Sequence, residues 1–182
     1  DDVNVEVKVT NTGNKEGKEV VQLYYSAPYT KGGIEKSSTV LGDFAKTKTL
    51  KSGESETLKL TIKKEEMASY DYKNEKAYVL DKGEYVYQIK ENSHEISKDK
   101  SGKNLEFKSN EEKKVFKNGK SSDKTAVTNQ FDDVSAIFKD TEQKGYALNM
   151  SRSDFKTTFP TAPTSDDANA DITLGEFGTI RS

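Results

Sequence analysis

Val3-Asn4-Val5-Glu6-Val7-Lys8-Val9 alternates a β-branched apolar residue with a polar one. Successive side chains of an extended chain point to opposite faces, so the four valines share one face and Asn4, Glu6 and Lys8 share the other. This is a strand with one buried side. Asn11-Thr12-Gly13-Asn14 breaks it with turn-forming residues, and after Gly17 the run Val20-Val21-Gln22-Leu23-Tyr24-Tyr25 restores β-branched and aromatic character. Farther along, Leu58, Leu60 and Ile62 alternate with Lys59 and Thr61, and Tyr85, Tyr87 and Ile89 recur at every second position. Both stretches read as half-buried strands.

The segments between them complete the pattern. A Gly- and Pro-containing loop spans Ala27 to Ser38, followed by a stretch from Val40 to Thr47 and a turn at Lys51-Ser52-Gly53-Glu54. Lys64 to Ala68 admits one helical turn before Tyr70-Asp71-Tyr72. Ala77 to Leu80 is a further strand, separated from the Tyr85 strand by the turn Asp81-Lys82-Gly83. Short strands with frequent turns define an all-β sandwich of about seven strands. Beyond His94 the apolar signal thins to Leu105, Phe107, Val115 and Phe116, which predicts one or two edge strands over 96–117. From Phe131 isolated aromatics sit in polar chain, and Pro160, Pro163 and Ser165-Asp166-Asp167 point to an extended, mostly irregular segment without its own core. The chain thus divides into a sandwich over 1–117 and a connector over 118–182 that needs a neighbouring domain to lie on.

Composition agrees with that division. Hydrophobic residues make up 31% of the 182 positions, whereas ordinary domains draw roughly 45–50% from the apolar set with Gly included. Some of the chain therefore lies outside a packed core. The net charge is −2, with 16 basic and 17 acidic residues in 1–98 and 13 and 14 in 99–182. Neither half offers the basic face that a nucleic-acid partner requires. Without cysteine there is no disulfide framework, thiolate metal site or cysteine nucleophile. His94, the single histidine, cannot form a paired zinc motif, and no cofactor or metal is expected. No apolar run approaches the ~18 residues of a membrane span and no signal peptide is visible. Asp1 leads almost directly into a strand, so the chain reads as a piece of a longer protein.

The strands also carry a resemblance. Val7-Lys8-Val9-Thr10-Asn11-Thr12-Gly13 followed by Gly17-Lys18-Glu19-Val20-Val21-Gln22-Leu23-Tyr24 resembles the opening of the fibronectin type III-like domain of glycoside hydrolase family three. Leu41-Gly42-Asp43-Phe44 resembles that domain's Leu-x-x-Phe segment. Leu50-Lys51-Ser52-Gly53-Glu54-Ser55 is similar to its turn before a long strand, and Leu80-Asp81-Lys82-Gly83-Glu84-Tyr85 to its late Gly-Glu-Tyr hairpin. The motifs occur in family order over residues 3 to about 95. Two departures stand out: Ser37-Ser38 replaces a frequent proline, and the polar insertion after Asp99 is long. Leu148 to Phe155, then Phe159-Pro160-Thr161, resembles the connector of members in which a barrel follows the fibronectin-like domain.

The resemblance implies a non-catalytic accessory domain of a β-glucosidase-like enzyme, with the catalytic domains of the same polypeptide as partner. It leaves the compartment open between a bacterial-type cytoplasmic and a secreted setting. Family members use two carboxylates, and Asp154 in Ser153-Asp154-Phe155 resembles the nucleophile motif. A nucleophile needs a rigid barrel strand, however, and this chain is too short to supply the barrel. Asp154 is therefore read as connector. Tyr24, Tyr25, Tyr29, Tyr70 and Tyr72 form a conceivable sugar-stacking group, while Tyr85 and Tyr87 read as packing. The candidates for carbohydrate or interdomain contact are Tyr29 and Lys31 on the 27–38 loop, with Tyr70 and Tyr72. The alternatives are a carbohydrate-binding module that uses exposed tyrosines and an Ig-like adhesion domain unrelated to glycosidases.

Overall fold

In the computed structural model, residues 2–117 and 151–155 are described. The first group holds nine strands: β1 (Val3–Thr10), β2 (Val20–Ser26), β3 (Val40–Lys46), β4 (Ser55–Ile62), β5 (Ser69–Asp71), β6 (Ala77–Leu80), β7 (Gly83–Lys90), β8 (Glu106–Glu111) and β9 (Lys114–Phe116). A 3-10 turn at Lys64–Met67 occupies the place of the expected helical turn. All strand pairs are antiparallel. They form a two-stranded β1–β4 sheet, a four-stranded sheet in the order β3-β2-β7-β8, and a three-stranded sheet in the order β5-β6-β9. The fold is an all-β sandwich.

The period-two patterns set the two inner faces. Val21, Leu23 and Tyr25 of β2 and Tyr85, Tyr87 and Ile89 of β7 meet Leu58, Leu60 and Ile62 of β4, with Val3, Val5, Val7 and Val9 packed beside them. Met67 and Ala68 plug the end of this core from the 3-10 turn. Tyr85, Tyr87 and Leu23 have no solvent exposure at all. Their hydroxyls still have partners, since Tyr85 Oη donates to the Asp81 carbonyl (3.3 Å) and Tyr87 Oη lies 3.1 Å from Ser109 Oγ. Burial raises the pKa of both phenols, so both stay neutral hydrogen-bonding groups.

One edge of the sandwich is stitched. The register of β2 with β3 shifts between Leu23 and Tyr24, bulging β3 at Gly42. There a Cβ would lie 2.3 Å from Ile62 Cδ1, so only glycine lets β3 approach β4 this closely. Asp43 then bridges the sheets, its carboxylate accepting the Thr61 N–H at 2.7 Å and the Phe44 N–H at 2.7 Å. Along the opposite edge lie β1 and β8.

The structure adds two things to the sequence reading. Ser69–Asp71 pairs with β6, Tyr70 opposite Tyr78, although three residues are too few to show a period. The polar stretch after His94 continues the sheet through bridges at Lys90–Ile96 and Lys98–Asn104, with the Ile89 N–H donating to the Leu105 carbonyl (3.0 Å). The connector expected over 118–182 lies outside the described residues except at 151–155. Those five form a 3-10 turn over Arg152–Asp154, with the Ser153 N–H donating to Ser151 Oγ (3.3 Å).

Leu60, 1% exposed in the centre of the core, gives the fold a direct check. Leu60→Ala is expected to cost about 2–5 kcal/mol in urea unfolding, while Lys59→Ala on the solvent face changes stability by less than about 0.5 kcal/mol.

Candidate functional site

The loop after β2 and the β5–β6 turn flank one cleft. Its volume is about 330 Å³, and Pro28, Ile34, Asp71, Asn74, Asp81 and Lys113 are among its lining residues. The loop is held at both ends. Pro28 packs on Gly83, where φ is +142° and a Cβ would lie 3.0 Å from Pro28 Cβ. Lys36 buries its ammonium, donating to the Pro28 carbonyl (2.9 Å) and pairing with the Asp81 carboxylate. A short lysine-carboxylate pair with one partner buried is costly to break from one side, because the remaining charge keeps its desolvation without its counterion. Between the anchors, Gly33 N–H closes a turn on the Thr30 carbonyl (3.0 Å).

The acids of the cleft are engaged in structure. Asp71 is 7% exposed. Burial opposes its ionisation, yet the main-chain N–H groups of Asn74, Glu75 and Lys73 and the Asn74 side chain outweigh that, holding its pKa below the ordinary aspartate value. Asp81 is neutralised by Lys36. Near the β8 end, Glu111 shows the same balance: desolvation pushes its pKa up, while Lys64 (2.9 Å) and Ser109 (2.7 Å) bring it net down. Each of these carboxylates is held by bonds within the domain. Among the described residues no cluster of three His, Cys, Asp or Glu side chains could hold a metal ion, and no helix is long and apolar enough to cross a membrane.

The expected contact residues distribute unevenly. Tyr29 is half-buried and its hydroxyl donates to the Glu35 carboxylate. Lys31 is exposed at the loop tip. Tyr70 packs edge-on against Tyr78, centroids 5.5 Å apart at 70°. Tyr72 is 50% exposed, with Lys73 Nζ 5.6 Å from its ring centre. The loop and hairpin that carry these four flank the cleft, but none of the four lines it. Tyr24 and Tyr25, grouped with them on sequence, are each only 8% exposed. Tyr25 faces the core, and Tyr24 is covered on the other face by Lys90, whose Nζ lies 5.3 Å from its ring. Both leave the stacking group. The coplanar aromatic pair is Tyr87–Phe107 at 4.7 Å and 11°, and Tyr87 is wholly buried. His94 sits in an exposed turn, its N–H bonded to Asn92 Oδ1 (2.9 Å). The Lys36–Asp81 clamp carried no sequence signal, since its members are 45 positions apart.

Some large apolar side chains of the sandwich are exposed. Phe44 is 63%, Leu41 44% and Val20 36% exposed. Phe44 pairs with Gln22 and Leu41 with Tyr24 on the outward side of the four-stranded sheet.

An antiparallel two-stranded sheet over a four-stranded one describes a β-sandwich of the fibronectin type III-like kind. Residues 19–93 match the family model described as "Fibronectin type III-like domain", and the relatives that share this segment are β-glucosidases. Beta-glucosidase A of Butyrivibrio fibrisolvens is 49% identical over 84 residues, 44% of this chain and 10% of that protein. A beta-glucosidase of Ruminococcus albus is 42% identical over 91 residues, 48% of this chain and 9% of that protein. The chain therefore spans about a tenth of the length of the relatives it matches. Among solved structures, beta-glucosidase 3B from Thermotoga neapolitana aligns with a TM-score of 0.53 and 33% identity over 63% of this chain and 14% of its own. A beta-glucosidase from Paenibacillus barengoltzii aligns at 0.52 and 40%, over 63% and 13%.

Two outcomes are expected from this geometry. Lys36→Ala strands the Asp81 carboxylate and lowers stability by about 1–3 kcal/mol, with faster proteolysis inside 27–38. Because the folded pKa values of Asp71 and Glu111 are depressed, the stability they contribute is complete above the ordinary carboxylate values near 4. It is lost as pH falls through their lower folded values. Urea unfolding from pH 7 to pH 2.5 should show that loss, and Asp71→Asn should make the profile flatter.

Proposed function

We propose that this chain is a non-catalytic accessory domain of a β-glucosidase-like glycoside hydrolase, packed against the catalytic domains of its own polypeptide. The observation that carries the reading is the placement of its match: a segment shared with β-glucosidases, about a tenth of their length, in which the cleft acids Asp71 and Asp81 are held in structural bonds. Chemistry would then reside in the rest of the polypeptide, and this domain contributes surface. The exposed Phe44, Leu41 and Val20 suit that role, because apolar side chains on one outward sheet face are what a neighbouring domain covers. The connector after residue 117 would lie along the same neighbour.

Of the four candidate residues for a carbohydrate-binding role, Tyr72 carries the most exposed ring. A sugar platform asks for two or three coplanar exposed rings, and Tyr70 is turned 70° from its neighbour Tyr78. An unrelated adhesion domain is disfavoured by identity above 40% to β-glucosidases over more than 80 residues.

The test is affinity electrophoresis of chain 1–182 through gels containing soluble β-glucan or xylan, with a chromogenic β-glucoside assay on the same sample. Neither retardation nor hydrolysis is expected. Retardation lost in Tyr72→Ala would favour the binding module, and turnover by this chain would sink the accessory reading. In the complete gene product, Phe44→Lys is expected to lower the unfolding temperature and the glucosidase activity together, while the same change leaves isolated chain 1–182 nearly unaffected.

A further inference from the structure

The outward face of the four-stranded sheet is charged differently in its two halves. Residues paired directly across antiparallel strands share a face, so Lys90, Gln22 and Phe44 form one row across β7, β2 and β3. Val20 and Lys46 make the next row, and Gln88, Tyr24 and Leu41 the row on the other side. Toward β8 the charges are matched within the domain: Glu84 pairs with Lys108 (3.0 Å) and Glu106 accepts a hydrogen bond from the Gln88 amide. Toward β3 they are not. The outward positions of β2 and β3 hold no carboxylate. Among the described residues neither Lys46 nor Lys90 has an acidic side chain within ion-pair distance.

Lys90 is the sharper case. It is 7% exposed, and the groups that meet its ammonium are neutral: Thr39 Oγ1 and the Ser93 carbonyl, both at 3.3 Å, and the Tyr24 ring, 5.3 Å away. Hydrogen bonds from a charged nitrogen normally run about 2.7–2.9 Å, so both oxygens hold it loosely. A cation drawn out of water keeps its desolvation cost unless a counterion offsets it. Lys46 stands exposed beside Val20. Phe44, 63% exposed, shares the row of Lys90 and the strand of Lys46, and Leu41, 44% exposed, continues the strip. Two cations without counterions thus border a strip of uncovered apolar side chains.

We propose that this half of the sheet face receives an acidic, apolar surface of the same polypeptide outside residues 1–182, whose carboxylates pair with Lys46 and Lys90 while its apolar side chains cover Phe44, Leu41 and Val20. This rests on the reading of the chain as an accessory domain of a longer enzyme, in line with relatives about ten times the matched length, and it names the chemistry the neighbour presents. Opposite charges across such a patch fix how two surfaces register, which apolar contact alone does not. A second copy fits less well. Its own β2–β3 half carries no carboxylate for either lysine, so two such faces together would leave four cations unpaired. A free phosphate would satisfy the lysines and leave the apolar strip in water.

The test is lysine acylation read by peptide mass spectrometry on chain 1–182 and on the complete gene product, with carbodiimide coupling of the latter. Lys46 should be labelled at least about tenfold more slowly in the complete product, while Lys108 on the β8 half reacts alike in both. Carbodiimide should join Lys46 to an Asp or Glu outside residues 1–182. Equal labelling of Lys46 in the two samples overturns the proposal, and so does protection without any such coupling. Protection already present in chain 1–182 that fades on dilution assigns the face to a second copy and also overturns it. Lys90→Met keeps the length of the side chain and removes its charge. In the complete product it strands a carboxylate, so the unfolding temperature there should fall further than in chain 1–182, where no counterion is lost. Equal shifts count against the pairing. Hydrolysis of an aryl β-glucoside is read on the same complete product. Protection without hydrolysis leaves the docking surface standing and defeats the enzymatic reading, and hydrolysis without protection does the reverse.

Discussion

The rest of this domain is arranged round two tyrosines buried between two sheets. Tyr85 and Tyr87 have no exposed surface, and each needs apolar cover for its ring together with a partner for its hydroxyl. The ring is covered from β4 and β2. The hydroxyl partners are the Asp81 carbonyl and Ser109, which lie on the turn before β7 and on β8. Satisfying two phenols thus fixes where the neighbouring turn and strand must run. From that follows the position of Asp81, and from Asp81 the clamp that holds the 27–38 loop through Lys36.

Much of this was legible in the sequence because alternation is a local signal. Val3 to Val9, Leu58 to Ile62 and Tyr85 to Ile89 each declare which face is inward, and the structure packs those faces together. The run Val20 to Tyr25 declares less. Being apolar or aromatic at five of six positions, it has no period, so Tyr24 and Tyr25 look equivalent. Only the fold separates them, one placed in the core and the other under Lys90. Ser69–Asp71 was invisible for a different reason, since a three-residue strand is defined by its partner β6 and by nothing within itself. The candidate site suffered most. Tyr29, Lys31, Tyr70 and Tyr72 were chosen by residue type, whereas what shapes that end of the molecule is a lysine-aspartate pair and a proline-glycine contact between distant segments.

The same geometry draws several acids into the scaffold. A carboxylate poised for acid-base work needs an environment that leaves its proton affinity near the working pH and one oxygen free for substrate. Here the environments drive the other way. Asp71 is wrapped by main-chain donors, Glu111 is held by Lys64 and Ser109, and Asp43 is spent on joining two sheets. Cross-strand pairs such as Glu6–Lys59 (3.1 Å) and Glu84–Lys108 (3.0 Å) lie in solvent, where such pairs contribute little to stability. Among the described residues these charges fix geometry or face solvent.

The loop from Pro28 to Lys36 is tied at its two ends by contacts that do not involve its tip. Lengthening a loop whose ends are already fixed adds only about 0.6 kcal/mol of closure entropy for each doubling. The residues around Lys31 and Gly32 are consequently free to vary in number and kind without the sandwich registering the change. Such a loop is a place where related domains can diverge in reach and in what they touch while the scaffold beneath stays constant.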